Sequence, residues 1–315
     1  MMRKYNPCRT LFHHPAGSGI PVQRVPPMHN RLPAVTVVGS INVDLIATAE
    51  RLPTAGETIG DAVLSRQPGG KGANQAAALA RLGGNARMVG AVGDDDSGRQ
   101  MLDALTTAGV STTGVSILPH ATGTALISVD RDGENQIVVC PGANSHLSLD
   151  GMEFGPDETV LCQLEVGVPV VLEAARKAKG FFVLNAAPAM DLPAELLERC
   201  NLVIVNESEY ALIPDLASAK LVAVTYGGEG SAMFEHGRKV AEVPAPAVSV
   251  VNTIGAGDAF CAALVLALEA GMDYAPALGV ANAVGAHAVG DPSSQPDLAR
   301  LGHYAGPTAA PAGAR

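Results

Sequence analysis

The chain has 315 residues, 47% of them hydrophobic, and a net charge of −10. That length and apolar content suffice for one large α/β domain or two modest ones. The charges are scattered, with no basic run beyond the first residues, which argues against nucleic acid or an anionic membrane as a partner; no apolar run approaches a membrane span. The cysteines at 8, 140, 162, 200 and 261 show neither CxxC pairing nor metal-ligand spacing, and four lie in apolar contexts. They read as reduced core thiols of a cytoplasmic protein. Tryptophan is absent while Ala, Gly and Val abound, which suits tight packing of helices on a sheet.

Residues 1–33 mix Pro, His, Arg and Gly without periodicity and lack the apolar core of a secretory signal. A disordered extension is expected there, with Met28, just after Pro26-Pro27, a candidate for the true start. Ala34 to Ser40 reads as a buried strand, followed by Ile41 to Ile46. Polar residues at the end of an apolar run mark the place where open parallel sheets bind ligands. Asn42 and Asp44, two apart, share one side of extended backbone; as ordinary turn formers they would mean nothing. Short β-like pieces follow to Gln67. Then Pro68-Gly69-Gly70-Lys71-Gly72-Ala73-Asn74-Gln75 opens an Ala-rich helix that stops at Gly83-Gly84. Paired glycines let backbone approach a ligand closely, and Lys71 and Asn74 sit around the helix start, although Lys71 as a solvated charge is the plainer alternative. The stretch is not a Walker A loop, because its glycine spacing and terminal Lys-Ser/Thr are missing.

A strand over 87–93 and an amphipathic helix over 98–108 come next. Alternating runs at 124–130 and 136–139 flank Arg131-Asp132-Gly133-Glu134-Asn135, a hairpin signal. With pieces inside 45–67, strands within 115–140 are expected to form a small sheet standing apart from the main one, as a lid. From Glu158 the rhythm is strand 159–164, helix 168–178, strand 181–185, helix 193–199, strand 202–205, then a short segment and strand 221–225 leading into Tyr226-Gly227-Gly228-Glu229-Gly230. Such alternation predicts an α/β fold with a mostly parallel central sheet and helices on both faces. Val250 to Gly271 reads as a short strand, a glycine turn and a helix apolar almost all round, hence buried. Gly255 and Gly257 expose N–H groups at its first turn, which with the helix dipole make an anion site. Asp258 beside that site is either a plain helix N-cap or a base held next to a phosphoryl group. A last helix spans about 276–289, and a disordered tail is expected over 306–315.

Six motifs assemble in order: Gly39-Ser40-Ile41-Asn42-Val43-Asp44, Gly69 to Gln75, Gln163-Leu164-Glu165, Leu184 to Ala189, Asn206-Glu207-Ser208-Glu209 and Thr253 to Asp258. Through them the chain resembles the ribokinase-like family of sugar and nucleoside kinases over roughly residues 34–300, and a kinase domain over 34–305 is expected. The resemblance implies an ATP-dependent transfer with Mg²⁺, and the Gly-Gly-Lys-Gly-Ala-Asn-Gln run after Asn-x-Asp points to the 5-hydroxyl of D-ribose. It implies Asp258 as general base and Gly255, Ala256 and Gly257 as the anion hole. Asn42, Asp44, Gly70, Lys71, Asn74, Glu165 and Asp258 would hold the sugar. Asn206, Thr225, Gly227, Gly230, Gly257 and Asn282 would hold ATP, with Asn282 as a helix-packing amide the alternative; Glu209 would reach Mg²⁺ through water. Asn252, Ile254 and Ser293 would contribute to a K⁺ site, but position 252 is Asn where the family usually carries Asp, and Ser293 stands where Gly is usual. Weakened or altered K⁺ activation is therefore expected. Tyr210 to Lys220 is short for the family's helix and linker. The family's lids pair between subunits, so a homodimer is implied. Other acceptors in the family, another sugar or a nucleoside, and a non-catalytic sugar-binding protein on the same scaffold stay open. An NAD-dependent oxidoreductase does not, since Gly39-Ser40-Ile41-Asn42 lacks G-x-G-x-x-G.

Overall fold

The computed structural model describes residues 34–305; the N-terminal extension over 1–33, the candidate start at Met28 and the tail over 306–315 lie outside the described residues. In chain order the first half holds β1 (Ala34–Val38), β2 (Asn42–Thr48), β3 (Val63–Gly69), α1 (Lys71–Arg81), β4 (Asn85–Gly93), α2 (Asp96–Thr107), β5 (Ser111–Leu118), β6 (Gly123–Val129) and β7 (Asn135–Cys140). The second half holds β8 (Thr159–Gln163), α3 (Val168–Lys177), β9 (Phe182–Asn185), α4 (Ala194–Arg199), β10 (Leu202–Asn206), α5 (Glu207–Leu212), β11 (Leu221–Thr225), β12 (Ser231–Glu235), β13 (Arg238–Val243), α6 (Ala256–Glu269) and α7 (Tyr274–Ala288).

The main sheet has nine strands in the order β13-β12-β11-β10-β9-β8-β1-β4-β5. All pairs from β11 to β5 are parallel, and β12 and β13 add an antiparallel edge. The strands read as continuous apolar runs because successive side chains feed two cores. Leu161, Val183, Leu202, Ile204 and Ala223 face a core shared with α1, α6 and α7. Their neighbours Cys162, Leu184, Val203, Val205 and Val222 face the other core, with α3 and α4. The centre of α6 is buried from Asp258 to Ala267, lying between α1 and α7, so an all-round apolar sequence is what its position requires. It stops at Gly271, φ 78°, as predicted.

The small sheet has four strands in the order β3-β2-β6-β7. Three details differ from the sequence reading. Within the interval 115–140 expected to carry lid strands, residues up to Leu118 belong to β5, the far edge of the main sheet, and only β6 and β7 join the small one. Alternation marks a strand, but the pairing partner is non-local. Second, Asn42 and Asp44 do not end a core strand: β1 stops at Val38, and both residues lie at the root of the lid on β2. Third, β12 and β13 form a hairpin that the glycine-rich run before it obscured. The short segment after Asn206 still accommodates α5 and a 3₁₀ turn over Pro214–Ser218. Cys162, Cys200 and Cys261 are buried as expected, whereas Cys140, at the end of lid strand β7, is exposed.

Candidate active site

The C-terminal ends of the parallel strands, the first turns of α1 and α6 and the inner face of the lid enclose a cleft of about 340 Å³. Its lining includes Asn42, Asp44, Gly70, Lys71, Asn74, Glu165, Asn206, Glu209, Thr225, Ile254, Gly255, Gly257 and Asp258, so most of the predicted site residues meet in one place.

One wall of the cleft is built where α1 begins. Gly70, φ 85°, precedes the helix, and a Cβ there would come within 2.8 Å of the Asn42 backbone nitrogen. Only glycine lets α1 start this close to β2. Asn42 and Asp44 point into the cleft from the same face of β2, as their spacing predicts. Asn144, in the connection after β7, donates to Asn42 Oδ1 at 2.8 Å and accepts from Ile41 N–H at 2.9 Å, which fixes the Asn42 amide. Glu165, just past β8, accepts from Ser40 Oγ and from the Lys71 N–H. Burial, then the nearby charges of Glu165 and Asp258, push the Asp44 carboxyl up to about 7. Lys71 is half-buried and not a solvated charge; the carboxylate of Asp258 holds its ammonium above the usual range.

At the first turn of α6 the N-cap is Gly255 in the left-handed region, φ 79°, with no side-chain cap. Asp258 is therefore not the N-cap. It is 7% exposed and accepts from Asn74 Nδ2 at 3.1 Å and from Gln75 Nε2 at 2.9 Å. Burial raises its pKa, against which Lys71 and the two amides favour the charged form. A Cβ on Gly255 would strike Ser294 O at 2.1 Å, so the helix start is seated on the 290–295 loop. Gly257 lines the cleft, and a Cβ there would meet no protein atom. Ala256 does not line it; its N–H faces Thr253 O at 3.4 Å.

At the end of β10, Asn206 and Glu209 close a capping box at the start of α5: Glu209 N–H donates to Asn206 Oδ1 and Asn206 N–H to Glu209 Oε2, both at 2.8 Å. Gly227 and Gly230 form the turn between β11 and β12, and Asn282 sits deeper; none lines the cleft. The Asn282 amide is fully engaged, accepting from Ser231 Oγ at 2.8 Å and donating to Val243 O at 2.9 Å. Asn252 and Ser293 also stay outside. Asn252 Oδ1 accepts from Ile254 N–H at 3.0 Å and its Nδ2 donates to Pro292 O at 2.9 Å, while Ser293 Oγ bonds the Gln295 backbone. Sequence reasoning assigned no role to Gln75, Asn144, Gln163, Asn185 and Gln295; Asn185 lines the cleft, and the other four support it from behind. The available signal was a polar side chain inside an apolar helix or at the end of an apolar strand, since buried amides must find partners.

The chain matches the pfkB family of carbohydrate kinases over residues 33–300. It is 37% identical over 265 residues to a ribokinase of Bacillus subtilis, covering 79% of this chain and 90% of the relative. Its fold is similar to the ribokinase of Arabidopsis thaliana complexed with ribose and ATP, with TM-score 0.77 and 30% identity over 86% of this chain and 97% of that one. It is also similar to a Burkholderia thailandensis nucleoside kinase in complex with inosine, with TM-score 0.73 and 26% identity over 86% and 95% of the two chains. The protein belongs to the pfkB family of carbohydrate kinases, and is a sugar kinase.

Proposed function

We propose that the protein transfers the γ-phosphoryl group of ATP to the 5-hydroxyl of D-ribose. The observation that carries this is the Asp258 carboxylate, held by two buried amides at the opening turn of α6, in the same cleft as Asn42, Asp44 and Glu165. Acceptor-rich carboxylates and amides suit a polyol, whose hydroxyls need acceptors for their protons. Asp258 takes the proton of the attacking hydroxyl as the O5–Pγ bond forms and the bond from Pγ to the β-phosphate oxygen breaks, releasing ADP. N–H groups of Gly255 and Gly257, which line the cleft, and the α6 dipole meet the charge on the transferred group.

Among the described residues there is no cluster of three metal-ligating side chains. Mg²⁺ would be carried by the phosphates and waters, with the second carboxylate oxygen of Glu209 as an outer contact, and would neutralise phosphate charge. A K⁺ site fits poorly, because Asn252 brings no charge and turns its NH₂ group toward Pro292 O, so K⁺ activation is weak in this reading. A homodimer through the lid is supported by the exposed Leu64, Leu126 and Val138. No helix among the described residues is long and apolar enough to cross a membrane; the free buried thiols of Cys162, Cys200 and Cys261 support a reducing, cytoplasmic setting.

A nucleoside acceptor is the second reading, favoured by the apolar lid wall of Ala125, Ile127, Ile137 and Val139. ADP release with Mg·ATP and D-ribose, adenosine, fructose or deoxyribose, each with and without K⁺, tests both. Selection for D-ribose, abolished at least about 1000-fold in kcat by Asp258→Asn, is the expected result. Turnover with adenosine alone would replace ribose, and silence with every acceptor would leave a sugar-binding protein.

A further inference from the structure

Behind Asp258 lies a chain of buried amides that phosphoryl transfer does not itself use. Gln75 follows Asn74 on α1 and is 0% exposed. Its Nε2 donates to Asp258 Oδ1 and to Asn185 Oδ1, both at 2.9 Å. Asn185, ending β9, donates its own Nδ2 to Ile204 O at 3.1 Å, which settles which end of its amide meets Gln75. From the other side Gln163, ending β8, donates Nε2 to Gln75 Oε1 at 2.5 Å. Both hydrogens and the oxygen of the Gln75 amide are thus engaged. Turning it over would set Oε1 against the Asp258 carboxylate and the Asn185 carbonyl oxygen.

Gln163 is itself 0% exposed, and its Oε1 has no hydrogen-bond partner. That oxygen presses against Gly39, where a Cβ would approach it to 2.0 Å. A buried, unpaired amide oxygen is costly, and glycine at 39 is needed to seat it. Leucine or methionine would fill the space without that cost, but neither could orient Gln75. Neither glutamine lines the cleft.

We propose that Gln75 is a positioning residue for the phosphoryl-transfer reaction, aiming the Asp258 carboxylate at the attacking hydroxyl, and that Gln163 locks Gln75 in the required orientation. The inference rests on the reading of Asp258 as general base. A donor aimed at a carboxylate also favours its charged form, so losing the donor makes the base harder to keep ionised.

The test is steady-state kinetics of the full chain with D-ribose and Mg·ATP across about pH 5 to 9, for Gln75→Met, Gln163→Met and Asp258→Asn, with melting temperatures alongside. Gln75→Met is expected to lower kcat by about tenfold or more, to leave the sugar KM within about threefold, and to move the acid limb of the kcat profile to higher pH. Gln163→Met, which touches neither Asp258 nor the cleft, reproduces both changes at smaller size. Wild-type kcat in both variants overturns the proposal. So does a loss of kcat with the acid limb unmoved and the melting temperature lowered in parallel, which is a packing effect. If Gln75→Met yields no folded protein, Gln163→Met decides by the same criteria. An active Asp258→Asn would instead sink the general-base reading; an inactive one beside an unaffected Gln75→Met would sink only this inference.

Discussion

Carboxylates set the character of the cleft. Asp44, Glu165 and Asp258 crowd one side of it, with Lys71 as the nearby cation. Burial, then the nearby charges of Glu165 and Asp258, favour the protonated form of Asp44, whose pKa is about 7 against an ordinary 3.8. The native state therefore binds that proton more tightly than the unfolded chain does. Stability falls as pH rises from the unfolded value through about 7, and above it the full penalty is present. Asp44→Asn removes the penalty. It should raise stability at pH 8 by an amount on the order of 1–4 kcal/mol, with the gain shrinking toward pH 4. The same change should weaken binding of the proposed sugar by about tenfold or more above pH 7, where the ionised carboxylate, an acceptor for the sugar hydroxyls, is replaced by an amide. Calorimetric unfolding at several pH values and the sugar KM of the variant check both halves. A gain in stability coupled to a loss in binding is the usual sign of a residue kept for function.

Two glycines in one turn of α6 have separable duties. Gly255 carries a left-handed φ of 79°, and an added Cβ would lie 2.1 Å from Ser294 O. Gly255→Ala must strain the backbone by about 1–3 kcal/mol and push either the helix start or the 290–295 loop away. That loop is pinned to the end of β3 by Ser294, whose Oγ donates to Pro68 O at 2.6 Å and whose N–H donates to Gln67 Oε1 at 3.0 Å. Displacement would therefore reach both walls of the cleft. The expected result is a lower melting temperature together with a fall in kcat of about tenfold or more. Gly257 has no left-handed requirement, and a Cβ there would meet no protein atom. Gly257→Ala should unfold at the wild-type temperature but lose ATP turnover, since its methyl group enters cleft space that the proposed transfer needs for the phosphoryl group. Melting curves and ATP kinetics of the two variants, side by side, distinguish seating the helix from making room at its tip.

At the scale of the molecule, the lid is the element least supported by the chain itself. Every residue of β7 is exposed, and its Ile137 and Val139 turn toward the cleft while Val138 turns away. Leu126 pairs with Val138 in register, and with Leu64 they leave apolar surface on a four-stranded sheet with an open edge. A second copy covering that surface would bury it and steady the lid over the substrate. Val138→Asp should convert a dimer into a monomer in sedimentation velocity, with a higher sugar KM and an unchanged fold. A wild-type protein that sediments as a monomer would remove this reading of the lid.

Sequence alone determined the local alphabet of the protein. Continuous apolar strands alternating with helices dictated a two-sided parallel sheet, the all-round apolar run from Ala259 to Leu268 dictated a buried helix, and Asn42 and Asp44 were bound to share a face by their spacing. These follow from period and propensity, which act between near neighbours. Only the tertiary structure decided that β5 joins the main sheet and β6 the lid, because both alternate and their partners lie far along the chain. It also decided that Asn282 spends its amide on Ser231 and Val243, and that the amide of Gln75 meets Asp258 from 183 residues away. A hydrogen bond between distant residues leaves no periodic trace in sequence; it exists only once the strands and helices that carry its ends have packed.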